Sequence, residues 1–104
     1  MSDFAERARG LAPVMKALSD ENRLAILLAV ADRPRAVVEL SEATGLGQTL
    51  VSHHLKTLRE TGLVAMTPRG RSNVYSICCG AIAEPIELLA ALAAPQQPPP
   101  PTGA

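Results

Sequence analysis

A mainly α fold with one small β-hairpin is the class this sequence predicts, and three observations carry the prediction. The composition is 47% hydrophobic, mostly Ala, Leu and Val, with no Trp, one Tyr and one Phe, which favours helices packed through aliphatic side chains over a large β-sandwich. From Phe4 to Leu58, apolar residues recur at spacings of three and four, the period of an amphipathic helix. Two short β-prone runs follow, Leu63 to Met66 and Val74 to Ile77, around a turn rich in Pro, Gly, Ser and Asn. A chain of 104 residues suffices for one compact domain and is too short for two ordinary ones.

Residues 3 to 18 place Phe4, Ala8, Leu11, Val14, Met15 and Leu18 on one helical face, with Gly10 and Pro13 marking a kink or a break; one bent helix and two short ones both fit. Ser19 and Asp20 are good caps for a second helix, whose expected inward stripe is Leu24, Leu27, Leu28 and Ala31, and Pro34 marks its stop. A third helix is expected over Val37 to Thr44, with Val37, Leu40 and Ala43 or Thr44 turned inward and Gly45 in the terminating position. In the fourth, GQTLVSHHLKTLRETGLV, Val51, Leu55 and Leu58 define a buried seam, so Gln48, Thr49, Ser52, His53 and Lys56 project toward solvent. A last helix over residues 81 to 94 is almost wholly Ala, Leu and Ile apart from Glu84 and Glu87, and tolerates Pro85 only in its first turn. So apolar a surface helix needs a partner. From Pro95 onward five of ten residues are proline, so residues 95 to 104 are expected to be a disordered tail, with capture by a proline-recognising partner as the alternative, and the folded domain to occupy residues 1 to 94.

Two short helices joined by a tight Gly-containing turn, the second with a polar outer face, describe a helix-turn-helix. A basic hairpin directly after it makes that motif a winged helix. The function this suggests is binding to double-stranded DNA. Gln48, Thr49, Ser52, His53 and Lys56 could reach base edges and phosphates from one face, while Arg69 and Arg71 on the wing would reach backbone or minor groove. Charge distribution agrees: net charge is zero, yet residues 45 to 76 carry Lys56, Arg59, Arg69 and Arg71 against Glu60 alone. Adjacent histidines on a helix point about 100° apart and cannot jointly chelate one ion as an i, i+4 pair can, so His53 and His54 are not expected to form a metal or catalytic site. An enzyme is not expected. No carboxylate pair, nucleophile motif or phosphate loop appears, and Ser52 beside His53 lacks a third group to orient the base.

The start, MSDFAERARG, has no cationic segment followed by an apolar one, and no apolar run reaches the ~18 residues of a membrane span. The two cysteines, Cys78 and Cys79, are adjacent and cannot close a loop of any size, so a reducing, cytoplasmic setting is expected.

Three segments resemble one family closely: LSDENRLAILLAV at residues 18 to 30, LSEATGLGQTLVSHHLKTLRETGLV at 40 to 64, and RGRSNVYSI at 69 to 77. Together they are similar to the ArsR/SmtB family of winged-helix transcriptional regulators. The resemblance implies that residues 37 to 44 and 48 to 60 are the DNA-binding helices, residues 63 to 77 the wing, and the terminal helices the interface of a homodimer. It also implies an inverted-repeat operator, repression by promoter occupancy, and a histidine at position 54 that packs and hydrogen-bonds.

Family members commonly release DNA on binding a metal or another inducer. At one common site the matching stretch, AVVELSEA from Ala36 to Ala43, offers no cysteine and only Glu39 and Glu42. At the other, the matching positions are Cys79, Ala81, Leu92 and Pro95, of which only Cys79 could bind a metal. Cys78 and Cys79 thus remain as the sensor candidates: their thiolates could take Ni, Zn or a thiophilic metalloid if Glu84, Glu87 or groups of a second subunit completed the shell, or could report oxidation. The plainer reading is two small residues packed as hydrophobes. The missing ligands motivate an alternative function, a winged-helix interaction module that takes its signal from a separate sensor protein.

Overall fold

The computed structural model describes residues 3–78 and 80–93, and the readings of Cys79 and of the tail from Pro95 fall outside them. Five helices and three short strands follow one another as α1 (Asp3–Leu18), α2 (Glu21–Asp32), β1 (Arg35–Ala36), α3 (Val37–Thr44), α4 (Gln48–Glu60), β2 (Val64–Arg69), β3 (Ser72–Ile77) and α5 (Ala83–Ala93). The mainly α fold with a β-hairpin is as the sequence predicts.

Between the two forms open for the first segment, α1 takes the single helix, with Pro13 inside it. Pro13 removes one N–H and leaves the Arg9 carbonyl without its helical donor, but Arg9 and Pro13 are both exposed, so water can serve that carbonyl. The joint to α2 is tied by side chains. Asp20 caps α2 by accepting the Arg23 N–H at 3.0 Å, and the Arg23 guanidinium reaches back to donate to the carbonyls of Ala17 at 2.9 Å and Lys16 at 3.3 Å. At the other end of α2, Arg35 donates to the Ala29 carbonyl and pairs with Asp32, placing a cation where the helix dipole favours one.

The inward stripe expected for α2 needs correction. Leu27 is buried, but Leu24 and Leu28 are 43% and 68% exposed and Ala31 is exposed too; the inward face is Ile26, Leu27 and Val30. The run from Leu24 to Ala31 is apolar all round, so its period cannot choose a side, and packing against α3, α4 and β3 chooses instead. On α3, Leu40 is fully buried, Val37 and Thr44 are half-buried and Ala43 faces outward.

The strands form an antiparallel sheet in the order β1-β3-β2. β1 was not foreseen: two residues after Pro34 are too few to show a period, and they become a strand only because Arg35 and Ala36 pair with Tyr75 and Val74. β2 runs beyond the expected Met66 to Arg69, past Pro68, which an edge strand tolerates because its missing N–H costs no inner hydrogen bond.

One core joins these elements: Ile26, Leu27 and Val30 of α2, Leu40 of α3, Val51, Leu55 and Leu58 of α4, and Leu63, Val64 and Tyr75 from the sheet side. Helix α4 ends in a left-handed glycine, Gly62, with φ 76°. The Leu63 N–H donates to the Leu58 carbonyl and the Gly62 N–H to that of Arg59, the paired bonds of a Schellman motif, which turns the chain directly into β2. Two outcomes follow for chemical denaturation: Leu58→Ala lowers stability by about 2–5 kcal/mol through the cavity it leaves, and Gly62→Ala by about 1–2 kcal/mol through its left-handed backbone alone.

Candidate nucleic-acid interface

Helices α3 and α4 meet across residues 45–47. Gly45, at φ 78°, closes α3 by donating its N–H to the Ser41 carbonyl at 2.9 Å. Side chains hold the turn as well: the Ser41 hydroxyl donates to the Leu46 carbonyl, and the Thr44 hydroxyl donates to the Leu40 carbonyl while accepting the Leu46 N–H. The turn is therefore bonded from within, and α4 starts in a set direction.

On α4 the buried seam is as expected: Val51, Leu55 and Leu58 are at most 1% exposed. Since that face is fixed inward, Gln48, Thr49, Ser52, His53 and Lys56 lie together on the exposed side, offering amide, hydroxyl, imidazole and ammonium groups. Leu50, 39% exposed, flanks them.

The hairpin that follows pairs Arg69 with Ser72, leaving Gly70 and Arg71 as a two-residue loop. Gly70 has φ 61°, and among the described residues no non-glycine has positive φ, which is the pattern of a type II′ turn. Both Arg69 and Arg71 are exposed at this tip. The wing is tied to the helix it follows, because the Cys78 N–H at the end of β3 donates to the carbonyl of Leu63 at 3.1 Å. One polar helix face and one basic hairpin tip thus belong to a single packed unit.

His54 differs from its neighbour. It is buried, neither ring nitrogen has a hydrogen-bond partner, and its Nε2 lies 3.8 Å from Oδ2 of Asp20, too long for a hydrogen bond. Burial pushes the His54 pKa below its ordinary value; the Asp20 carboxylate opposes this, and Arg23 and His53 add to it. Asp20 is held below the usual carboxylate range, first by the Arg23 N–H it accepts. The sequence identified Asp20 as a cap but gave no sign that it would face His54, because the two are 34 positions apart.

Cys78 is a half-buried free thiol. Among the described residues no three His, Cys, Asp or Glu side chains stand close enough to hold a metal ion, so the structure does not bring Cys78, Glu84 and Glu87 together as a ligand set. Among the described residues of one chain, the donors around Cys78 do not make up a metal-binding set. Glu84 and Glu87 instead line, with Arg7, a groove of about 330 Å³ between α1 and α5 whose apolar walls are Phe4, Ala8, Leu11, Leu88 and Ala91. No helix among the described residues is long and apolar enough to cross a membrane.

Helix-turn-helix plus wing defines a class of domain, and the comparisons agree with it. The profile of the family described as "Bacterial regulatory protein, arsR family" matches residues 20–65. The chain is 41% identical over 73 residues to the HTH-type transcriptional regulator NmtR of Mycobacterium tuberculosis, a match spanning 70% of this chain but only 61% of that protein. It is 36% identical over 76 residues to the transcriptional activator HlyU of Vibrio cholerae, covering 73% of this chain and 70% of the relative. A homodimeric winged helix-turn-helix DNA-binding domain from Mycobacterium bovis, a possible ArsR-family regulator, superposes with a TM-score of 0.72 at 34% identity, covering 89% of this chain and 87% of that one. The chain belongs to the ArsR family of winged helix-turn-helix proteins.

Because Lys56 and Arg71 are exposed, Lys56→Ala and Arg71→Ala should each change stability by no more than about 0.5 kcal/mol. Thermal unfolding checks this, and makes such variants clean probes of binding.

Proposed function

We propose that this protein is a homodimeric transcriptional regulator that binds operator DNA through α4 and the β2–β3 wing. The observation that carries the reading is the shared placement of Gln48, Thr49, Ser52, His53 and Lys56 on the exposed face of a helix whose other face is wholly buried, beside a tip bearing Arg69 and Arg71. In their roles, Lys56, Arg69 and Arg71 neutralise phosphates and fix register, while Gln48, Thr49, Ser52 and His53 address base edges in the major groove. Residues 1 to 94 act as one DNA-binding and dimerisation domain, in a reducing cytoplasm.

Dimerisation is supported by the terminal helices. Ile86, Leu89 and Leu92 of α5 are 56%, 53% and 71% exposed and Phe4 of α1 is 78% exposed, an apolar surface that a second copy would cover. The Mycobacterium bovis relative is described as a homodimer, which supports a dimer here without fixing its interface. Two-fold symmetry would set the recognition helices about 34 Å apart, one turn of the double helix, and so selects an inverted repeat. Repression by promoter occupancy is the sign the family resemblance implies, although one relative is named an activator.

The first test is an electrophoretic mobility shift on the promoter of the protein's own gene, with and without chelator, Ni, Zn and reductant. A specific shift is the expected result; its absence would overturn the reading. A response to metal or oxidant that Cys78→Ser with Cys79→Ser removes would assign the signal to the thiols, and a shift indifferent to all of them would assign it to a separate sensor protein. Salt titration gives a sharper figure: Arg71→Ala removes one phosphate contact per subunit, so the slope of log affinity against log salt should become shallower by about two for the dimer. Leu89→Glu with Leu92→Glu should yield a monomer by analytical ultracentrifugation and weaken operator binding by at least about tenfold.

A further inference from the structure

The adjacent histidines of α4 sit in opposite settings. His53 is exposed on the polar face, whereas His54 is only 7% exposed and has both ring nitrogens unbonded. The charged or titratable groups acting on the His54 ring are Asp20 and Arg23 from the start of α2 and His53 from α4 itself. Asp20 cannot swing freely toward the ring, because it already accepts the Arg23 N–H, and Arg23 is anchored to the last carbonyls of α1. His54 therefore faces a fixed carboxylate 3.8 Å away, across the joint that holds the recognition helix to the body of the domain.

We propose that His54 and Asp20 form a positioning contact that keeps α4 in its DNA-binding pose while the His54 ring is neutral, so that acid weakens operator binding through His54. The inference rests on the DNA-binding reading above. A neutral ring tolerates its burial as a flat, weakly polar group. Protonation makes both ring nitrogens donors where neither has a hydrogen-bond partner and the Asp20 carboxylate lies beyond hydrogen-bond distance from Nε2, at 3.8 Å. To satisfy the new charge, α4 must close on Asp20 or admit water, and either displaces the helix that presents Gln48, Thr49 and Ser52.

The electrostatic balance agrees with the geometry. Burial lowers the His54 pKa against the pull of Asp20, so the folded state holds this proton less tightly than the unfolded chain does. The stability involved is complete above the ordinary value of 6.5 and is lost as pH falls from there toward the lower folded value.

Three variants separate the roles: His53→Gln, His54→Gln, and Asp20→Asn, in which asparagine keeps a capping oxygen for Arg23 but removes the charge. The readouts are the NMR titration of the His54 ring, the thermal midpoint, and fluorescence anisotropy with the promoter duplex at about pH 7.5 and about pH 5.5 at constant ionic strength. On acidification, the His53→Gln dimer, which keeps His54, should lose operator affinity by about threefold or more and lose thermal stability, while His54→Gln should show neither loss. Asp20→Asn should move the His54 titration to still lower pH, a shift that a merely structural role would not produce. His54 titrating at or above its ordinary value, or His53→Gln and His54→Gln responding alike, would overturn the proposal. Should His54→Gln fail to fold, the His53→Gln and Asp20→Asn measurements decide it. Failure of the wild-type protein to bind DNA at about pH 7.5 would instead overturn the regulator reading, and the ring titration would still decide the contact.

Discussion

The burial of one face of α4 is the constraint on which the rest of the molecule depends. Val51, Leu55 and Leu58 are at most 1% exposed and share a core with Ile26 of α2, Leu40 of α3 and Leu63 ahead of β2. Each such aliphatic side chain contributes roughly 1.5–3 kcal/mol on burial, which is large beside the roughly 5–15 kcal/mol net stability of a domain. Rotation of α4 would expose that seam, so the helix has one available orientation. The polar side chains on its far face inherit a fixed direction from hydrophobic packing they take no part in.

Around this helix, local bonds turn an orientation into a rigid unit. The turn before α4 is bonded by Ser41, Thr44 and Gly45, and the Schellman motif after it delivers the chain into β2. The bond from Cys78 to Leu63 closes the hairpin back on the helix end, and β1 adds a third strand that ties the sheet to the α2–α3 connection. Arg23 and Arg35 do similar work at the two ends of α2: the first donates to the Ala17 and Lys16 carbonyls at the end of α1, the second to the Ala29 carbonyl in the last turn of α2. Helix and wing can therefore meet one ligand as a single body.

The terminal helices have the opposite character. Most of the apolar surface of the described part of α5 has no cover within one chain, which is why the proposed dimer would complete the fold as well as the function. The groove between α1 and α5, apolar but edged by Arg7, Glu84 and Glu87, belongs to that same face. Polar control sits elsewhere, at the joint of α2 and α4, where a buried histidine faces a capping aspartate.

Much of this was legible in the sequence. The seam of α4, its polar face, the glycine ending α3 and the basic hairpin are local patterns, because a helix with one apolar face and a turn needing positive φ each leave a signature within a few residues. Other features were decided only by tertiary structure. The inward face of α2 is not legible because a helix apolar all round carries no directional signal, nor is β1, because a two-residue strand exists only through its partner. Cys78 is a candidate ligand by chemistry, but whether other donors converge on it depends on how distant segments and a second subunit pack, which local sequence does not encode. His54 could be read as packing near the seam, yet its pairing with Asp20 depends on how α4 lies across α2. The sequence by itself thus determined which faces are apolar, where the chain turns and which side chains are offered outward, since these follow from short-range periodicity and backbone sterics. Only the tertiary structure decided which groups distant in the chain come to share one environment, because that depends on how the helices pack against one another.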